Sequence, residues 1–402
     1  MSTNSRVGTA TSYATALQNL SQRQQGLVTL QQNMTSGLKI NRTSDDPTGA
    51  AQAERAGTRI ARIAADQRLL ASQRDTIATA ESTLGATTDA LQSFRELVVS
   101  AGSGTLTPTD RASIAQQLTS LRDEIFANTN KTDSNGTPLF SGLGSSTTPF
   151  TNTQTVQFEG LSGQRVGGNS TVSPTLDGQA AFMNVPSGNG TFTVATGSGN
   201  IGTVSSDAGS VTSPSAVTGH NYSIAFAVDA TSGTKTYTVT DTTAGTTAAT
   251  GTYKENGAIA FDGISMTVKG SPLNGDTLSV APSARSDLFT TLDQTIANIK
   301  NATSNAGALP TQIAQSLSQI DAGMARVSSA RSLAGDILNQ ADRIKDAQGV
   351  RTDQLKAEKS AAEDLDMIKA VSEFSSQQTG YQAALSSYAQ IQKLSLFTYI
   401  SG

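Results

Sequence analysis

The chain contains no cysteine, no tryptophan and a single histidine, His220. Without a thiol no disulfide framework can form, so stability must come from packing. The same absence suits a polypeptide that crosses an oxidising space unfolded, because no wrong bridge can trap it. One imidazole and no thiol also leave little material for nucleophilic or metal chemistry. No run approaches the roughly 18 consecutive apolar residues of a membrane span, so no membrane insertion is expected. Met1–Ala10 lacks the apolar stretch of a cleavable signal peptide. The net charge is −4 over 402 residues, with bases scattered among acids, which gives no footprint for nucleic acid.

Proline and charge are scarce in different places. Seven of the ten prolines fall between Pro149 and Pro310, and none follows. From Ser141 to Val280 there are 4 Lys/Arg and 8 Asp/Glu, and the flanks hold the other 24 and 24. The whole net charge therefore lies in a sparsely charged middle. The length is enough for two or three domains.

The flanks carry helical heptads. Tyr13, Leu17, Leu20, Gln24, Leu27, Gln31, Met34 and Leu38 alternate in steps of four and three. Met367, Val371, Phe374, Gln378, Tyr381, Leu385 and Tyr388 repeat the rhythm near the other end. A seam that narrow marks helices that pair along one stripe, as in a coiled coil. An ordinary intramolecular core is the lesser alternative for the same spacing. Between these seams, Gly37 should end the first helix and Asp46-Pro47 should open the second. Ile63, Leu70, Ile77, Leu84, Leu91 and Val98 recur every seven residues in that second helix, up to Gly102 and Gly104. A third helix is expected from Pro108, with Ile114, Leu118, Leu121 and Ile125 inward. Asn135-Gly136 then signals a hairpin whose second strand is Pro138–Gly142. Beyond the middle, Phe289, Leu292, Ile296 and Ile299 share a face after Asp287. Ile313, Leu317, Ile320, Met324 and Val327 begin a helix that Ala334, Leu338 and Ala341 carry on past Leu355.

The middle alternates as strands do. Thr191–Val194, Tyr222–Val228, Lys235–Thr240, Ala258–Lys269 and Asp276–Val280 are the candidates, with Ser232-Gly233 as a hairpin turn. The expected fold is α+β: a long antiparallel helical bundle or coiled coil formed by both chain ends, with a β-rich domain inserted in the middle. The expected parts are a terminal coiled-coil segment (1–44 and 356–402), a helical bundle with its hairpin (45–145 and 284–355) and an outer β-rich domain (146–283).

Chemical motifs are weak. Gly197-Ser198-Gly199-Asn200-Ile201-Gly202 fits G-x-G-x-x-G, but a dinucleotide site needs a helix next, and Thr203–Thr218 has no helical period. Asp45-Asp46 reads more simply as a helix cap than as metal ligands, since no calcium-loop spacing follows. Glu363, Asp364 and Asp366 could be a carboxylate site, yet on a solvated helix they read as surface charge or inter-subunit salt bridges. His220 lies in a turn, with no nucleophile elbow to complete a triad. Asn135-Gly136-Thr137 and Asn189-Gly190-Thr191 match glycosylation sequons but read as turns. No catalytic, cofactor-binding or metal residue is assigned, no cofactor is expected, and the chain reads as a non-enzyme.

Met34-Thr35-Ser36-Gly37-Leu38-Lys39-Ile40-Asn41-Arg42-Thr43-Ser44-Asp45-Asp46-Pro47 resembles the N-terminal block of bacterial flagellins and their relatives. Glu363-Asp364-Leu365-Asp366, Tyr381-Gln382-Ala383-Ala384 and Ser395-Leu396-Phe397-Thr398-Tyr399-Ile400 resemble the partner block. Proline after the paired aspartates departs from typical flagellin and is similar to the hook–filament junction branch, the third hook-associated proteins. Leu139-Phe140-Ser141-Gly142, Asn189-Gly190-Thr191-Phe192 and Gly275–Val280 point the same way. The resemblance implies a structural subunit of the bacterial flagellum that joins hook to filament. Implied partners are other copies in a ring, the first hook-associated protein, flagellin and an export chaperone. Implied localisation is extracellular, after export through the flagellar type III channel without signal cleavage. Alternatives are a minor filament flagellin or a surface adhesion module. The expected assembly interface is Tyr13, Leu17, Leu20, Leu27, Met34, Leu38, Met367, Val371, Phe374, Tyr381, Leu385 and Tyr388. On this reading the terminal helices order when neighbouring copies cover their seams.

Overall fold

A computed structural model describes residues 9–302 and 307–400, with side chains described for residues 11, 13–302 and 307–390. Among the described residues, seven α-helices flank and interrupt thirteen short strands. The helices are α1 (Thr9–Ser36), α2 (Pro47–Ala101), α3 (Pro108–Thr129), α4 (Gly178–Phe182), α5 (Leu288–Lys300), α6 (Ala308–Glu363) and α7 (Met367–Ile400). The chain divides into two compact units, Met1–Gln67 with Lys345–Gly402, and Arg68–Ile344.

In the larger unit, the heptad positions of α2 do what their spacing predicts. Leu70 is 2% exposed, and Ile77, Leu84, Leu91 and Val98 are fully buried. They pack with Leu118 and Ile125 of α3, Leu288, Phe289, Leu292 and Ile299 of α5, and Ile320, Val327 and Ala334 of α6. Arg74 pairs with Asp342 (2.9 Å), Glu81 with Arg331 (2.6 Å) and Arg95 with Asp321 (2.7 Å). Partner numbers fall along α6 as they rise along α2, so the two helices run antiparallel. These pairs are half-exposed and add little stability, about 0–1 kcal/mol each. Arg122 is different. Its guanidinium is 7% exposed and bonds Asp293 through Nε (2.9 Å) and Nη2 (3.1 Å). It also lies 5.5 Å from the ring centres of Phe126 and Phe289.

Caps set the helix starts. Thr107 and Asp110 form a reciprocal capping box on α3, with Pro108 in the first turn. Asp287 accepts the Thr290 N–H at 2.7 Å to open α5. The expected hairpin at Asn135-Gly136 is reduced to one bridge, Thr132 to Pro138. Its turn is real, with Gly136 at φ 78° and Asp133 collecting the Asn135 and Thr137 N–H groups. Past that bridge the segment pairs elsewhere: the Leu176 N–H donates to the Leu139 carbonyl (2.9 Å) and the Gly142 N–H to the Leu176 carbonyl (3.0 Å), while the Leu139 and Phe140 side chains are fully buried in the helical core.

The strands are β1 (Phe150–Asn152), β2 (Val156–Phe158), β3 (Val185–Pro186), β4 (Phe192–Thr196), β5 (Ser205–Ser206), β6 (Ser210–Val211) and β7 (Tyr222–Val228). They continue as β8 (Lys235–Asp241), β9 (Thr246–Thr252), β10 (Gly257–Phe261), β11 (Ile264–Lys269), β12 (Thr277–Pro282) and β13 (Arg285–Ser286). A five-stranded antiparallel sheet has the order β4-β12-β7-β8-β9, and a smaller sheet is built on β10 and β11. Tyr222, Ile224 and Phe226 point inward as alternation predicts, and meet Ile259, Phe261, Met266 and Val268 in a second core. One departure is chemical. Ala258–Lys269 is not one strand but a hairpin, because Asp262 (φ 41°) and Gly263 (φ 76°) take the left-handed conformation of a tight turn. Strand β3 pairs with β13, so the chain enters and leaves the β region through adjacent strands.

Candidate assembly surface

The smaller unit holds the two heptad seams. Helices α1 and α7 run antiparallel against each other. Tyr13 and Tyr388 put their ring centres 5.2 Å apart. A Cβ at Gly380 would lie 2.8 Å from Arg23 Nη1, and one at Gly26 would lie 3.2 Å from Gln377 Oε1, so each glycine faces the tip of a side chain on the other helix. At the other end Leu38 bridges to Asp364. The Lys39 N–H donates to the Glu363 carbonyl (2.8 Å), and the Leu365 N–H donates to the Gly37 carbonyl (2.9 Å).

The block Met34–Pro47 makes a fixed corner. Gly37 ends α1 at φ 73°, a conformation other residues adopt only under strain. Asp45 Oδ2 accepts the Asn41 and Arg42 N–H groups at 3.2 and 2.8 Å. Asp46 Oδ1 accepts the Thr48 and Gly49 N–H groups at 3.1 and 3.0 Å and caps α2. The Gly49 N–H, followed by the Thr48 hydroxyl, holds the Asp46 carboxyl below its ordinary range. Across the corner, Asp366 Oδ1 accepts the Ile368 and Lys369 N–H groups, both at 3.1 Å, and caps α7. Asp364 accepts the Ser360 hydroxyl and Glu363 pairs with Lys359 at 3.2 Å, so each of these acids has a local partner. An open recess of about 560 Å³ lies beside the corner, lined by Ile40–Thr43, Ala50, Ala53 and Lys359 among others.

The twelve expected interface residues do not share one environment. Leu20 is buried. Leu27, Met34, Leu38, Phe374, Tyr381 and Tyr388 are half-buried. Tyr13 (39%), Leu17 (47%), Met367 (45%), Val371 (50%) and Leu385 (42%) stay exposed. The heptad pattern missed Val28 (48%) and Ile368 (87%), which lie outside the stripe and widen the apolar surface. It also missed the Gly26 and Gly380 contacts; glycines in otherwise unbroken helices were the available signal. The side chains of Ser395–Ile400, part of the block that carries the resemblance, lie outside the described residues.

The other motifs resolve into local structure. The Gly197–Gly202 segment is a loop tied to β12, with Asp276 accepting the Ile201 and Gly202 N–H groups, and short strands rather than a helix follow it. Both sequon asparagines sit in turns. His220 is not a plain surface histidine: its Nδ1 lies 2.6 Å from Asp241 Oδ2. Burial pushes the Asp241 carboxyl up, but the Ala244 N–H, His220 and the Thr243 N–H together bring it below its ordinary range. Among the described residues no three His, Asp or Glu side chains gather as a metal site would need, and no helix is long and apolar enough to cross a membrane.

Comparison with known proteins agrees with this geometry. Residues 7–145 match the bacterial flagellin N-terminal helical region, and residues 317–400 match the bacterial flagellin C-terminal helical region. Residues 195–282 match the D2-like domain of flagellar hook-associated protein 1. Flagellar hook-associated protein 3 of Salmonella typhimurium is 32% identical over 153 residues, covering 36% of this chain and 46% of that protein. Its Escherichia coli counterpart is 31% identical over 160 residues, covering 38% of this chain and 45% of that protein. The aligned stretches thus span about half the length of these curated relatives. The crystal structure of the flagellar junction protein of Legionella pneumophila is 30% identical, with a TM-score of 0.67 over 73% of this chain and 99% of that one. These matches define the class as flagellin-like subunits of the bacterial flagellum. Within that class the chain belongs to the hook-associated protein 3 family.

Proposed function

We propose that this chain is a structural, non-enzymatic subunit that joins the flagellar hook to the filament. The observation that carries the reading is the unfinished burial of the α1–α7 pair. Leu17, Met367, Val371 and Leu385 remain 42–50% exposed although both helices are paired. A two-helix pair is marginal in water, and burying each such side chain is worth about 1.5–3 kcal/mol at most. Neighbouring copies would supply that burial.

In this reading residues 1–44 with 356–402 form the assembly segment, 45–145 with 284–355 the helical bundle, and 146–283 the outer β-rich domain. The twelve seam residues mediate packing between copies in a ring. The first hook-associated protein lies on one side and flagellin on the other. The chain leaves the cell through the flagellar export channel, with a chaperone covering the C-terminal helix, and acts outside it. The similarity to hook-associated and junction proteins supports a role at the junction, and the exposed seam supports the mode of assembly.

Electron microscopy of cells lacking the chain tests the role. Hooks without filaments, with flagellin shed into the medium, are expected; normal filaments would overturn it. The matches to flagellins, such as that of Bacillus subtilis (38% identical over 113 residues), keep a minor filament subunit as the second reading. Immunogold label confined to the hook tip, rather than spread along the filament, separates the two.

A further inference from the structure

Strand β4 is an edge of the five-stranded sheet, and its pairing leaves one side of its backbone unused. The Gly197 N–H donates to the Thr277 carbonyl and the Ser283 N–H donates to the Thr191 carbonyl, both at 2.9 Å. These bonds fix the antiparallel phase: Thr193 and Ala195 face β12, while the N–H and C=O of Val194 and Thr196 point away from it. Among the described residues nothing bonds those outward groups. They border a cleft of about 200 Å³ that touches four consecutive β4 residues, Thr193–Thr196. Consecutive residues mean that the cleft runs along the edge of the strand, since a face would show alternate ones.

The opposite wall comes from helices α5 and α6. Gln294 and Asn298 stand one turn apart on α5, and Gln312, Gln315, Ser316 and Gln319 lie on one side of α6. No charged or aromatic side chain lines the cleft. Gln315 is only 8% exposed, and neither its Oε1 nor its Nε2 has a hydrogen-bond partner. A buried carboxamide with both ends unpaired is costly and uncommon in a native fold. We propose that this cleft is a binding site for an extended, uncharged polypeptide segment, which adds as a strand to β4 and is held from the other side by the carboxamides of α5 and α6.

The chemistry selects this ligand. Two outward N–H and C=O pairs at a two-residue spacing match the repeat of an extended strand. Carboxamides both donate and accept, so they can serve the second edge of that strand or its small polar side chains. A charged segment would lose its hydration without a counter-charge in the cleft. A sugar would usually be given an aromatic platform, and the cleft has none. The volume limits the inserted part to a few residues.

The probe is a blocked heptapeptide with the sequence of residues 246–252, an uncharged strand former, titrated into the full-length protein. Hydrogen exchange of the Val194 and Thr196 amides is the readout, since free outward amides exchange fast. The expected result is protection of both by the peptide, and weak or no protection by a version with lysine at alternate positions. Val194→Pro removes an outward donor that no ladder bond uses, and should weaken binding about tenfold. Should that variant not fold, Gln315→Leu serves: it should raise the thermal midpoint by removing the unpaired amide, and weaken the peptide similarly. Equal binding of the lysine peptide, protection by glucose but not peptide, or no protection by either at millimolar concentration would each overturn the proposal. The readout uses purified protein and is independent of filament assembly.

Discussion

Arg122 shows how one side chain couples two helices. Its guanidinium is buried against both the Phe126 and Phe289 rings, while its partner Asp293 is half-exposed at the far end of a two-bond contact. Asp293→Asn keeps the shape and removes the charge, leaving the buried cation with only the exposed Asp123 carboxylate, 3.3 Å from Nη1, as counter-ion. A loss of about 1–2 kcal/mol in urea unfolding of the larger unit is expected, moderated by the exposure of Asp293. The capping aspartates act through pH. Asp46 and Asp110 have carboxyls held below the ordinary 3.8, Asp46 first by the Gly49 N–H and Asp110 first by the Thr107 hydroxyl. A lowered folded pKa stabilises the fold fully above the unfolded value, and the contribution disappears as pH falls through the folded one. The thermal midpoint should therefore be flat from pH 7 to 5 and drop below pH 4. Asp46→Asn keeps an acceptor for the cap, and should shrink that drop. The burial of Arg122 was not visible in the heptads, because it depends on Phe289 and Asp293 of α5, distant in sequence, as well as on Phe126 one turn along its own helix. The Asp46 cap was legible, because an acid before proline is a local signal.

At the scale of elements, local rhythm was the most reliable guide. The seven-residue repeat of α2 predicted its buried positions from Leu70 to Val98, and the alternation of Tyr222, Ile224 and Phe226 predicted the inner face of β7. What escaped notice was shaped by contacts remote in sequence or by weak alternation. Strand β9 is mostly Thr, Ala and Gly, with neither face clearly apolar, so only its pairing with β8 reveals it. Strands β5 and β6 have two residues each and exist because β11 offers them a partner. The seam residues were legible as helical, but their exposure was not: periodicity places a residue on a stripe and says nothing of how much partner is available to cover it. Gly37 is the joint of the α1 corner. Nothing lies within 4 Å of a Cβ added there, so Gly37→Ala tests backbone strain alone. A cost of about 1–2 kcal/mol is expected, seen as fraying of α1 in circular dichroism melts.

For the molecule as a whole, assembly and stability should separate. Leu17 and Leu385 are already 47% and 42% exposed, so glutamate at both positions removes little from the isolated chain. The larger unit's melting should be unchanged within about 0.5 kcal/mol, whereas polymerisation in vitro and swimming should be lost. Intact swimming with Leu17→Glu and Leu385→Glu would remove the basis of the assembly reading. Helix content compared between monomer and polymer is the companion measurement. A rise on polymerisation is expected, and equal content would count against ordering by neighbours.

The antiparallel neighbours β3 and β13 clasp the base of the β region. Paired strands lie about 4.8 Å apart, so the whole excursion from residue 187 to residue 284 begins and ends at nearly one point. A loop of a few residues can close the same gap, and the helices on either side would register no change in span. Replacing 187–284 with such a loop should leave the melting of the helical core within about 1 kcal/mol of the original. The β region from 187 to 284 can thus be lengthened, shortened or exchanged without altering the gauge of the helices that carry it.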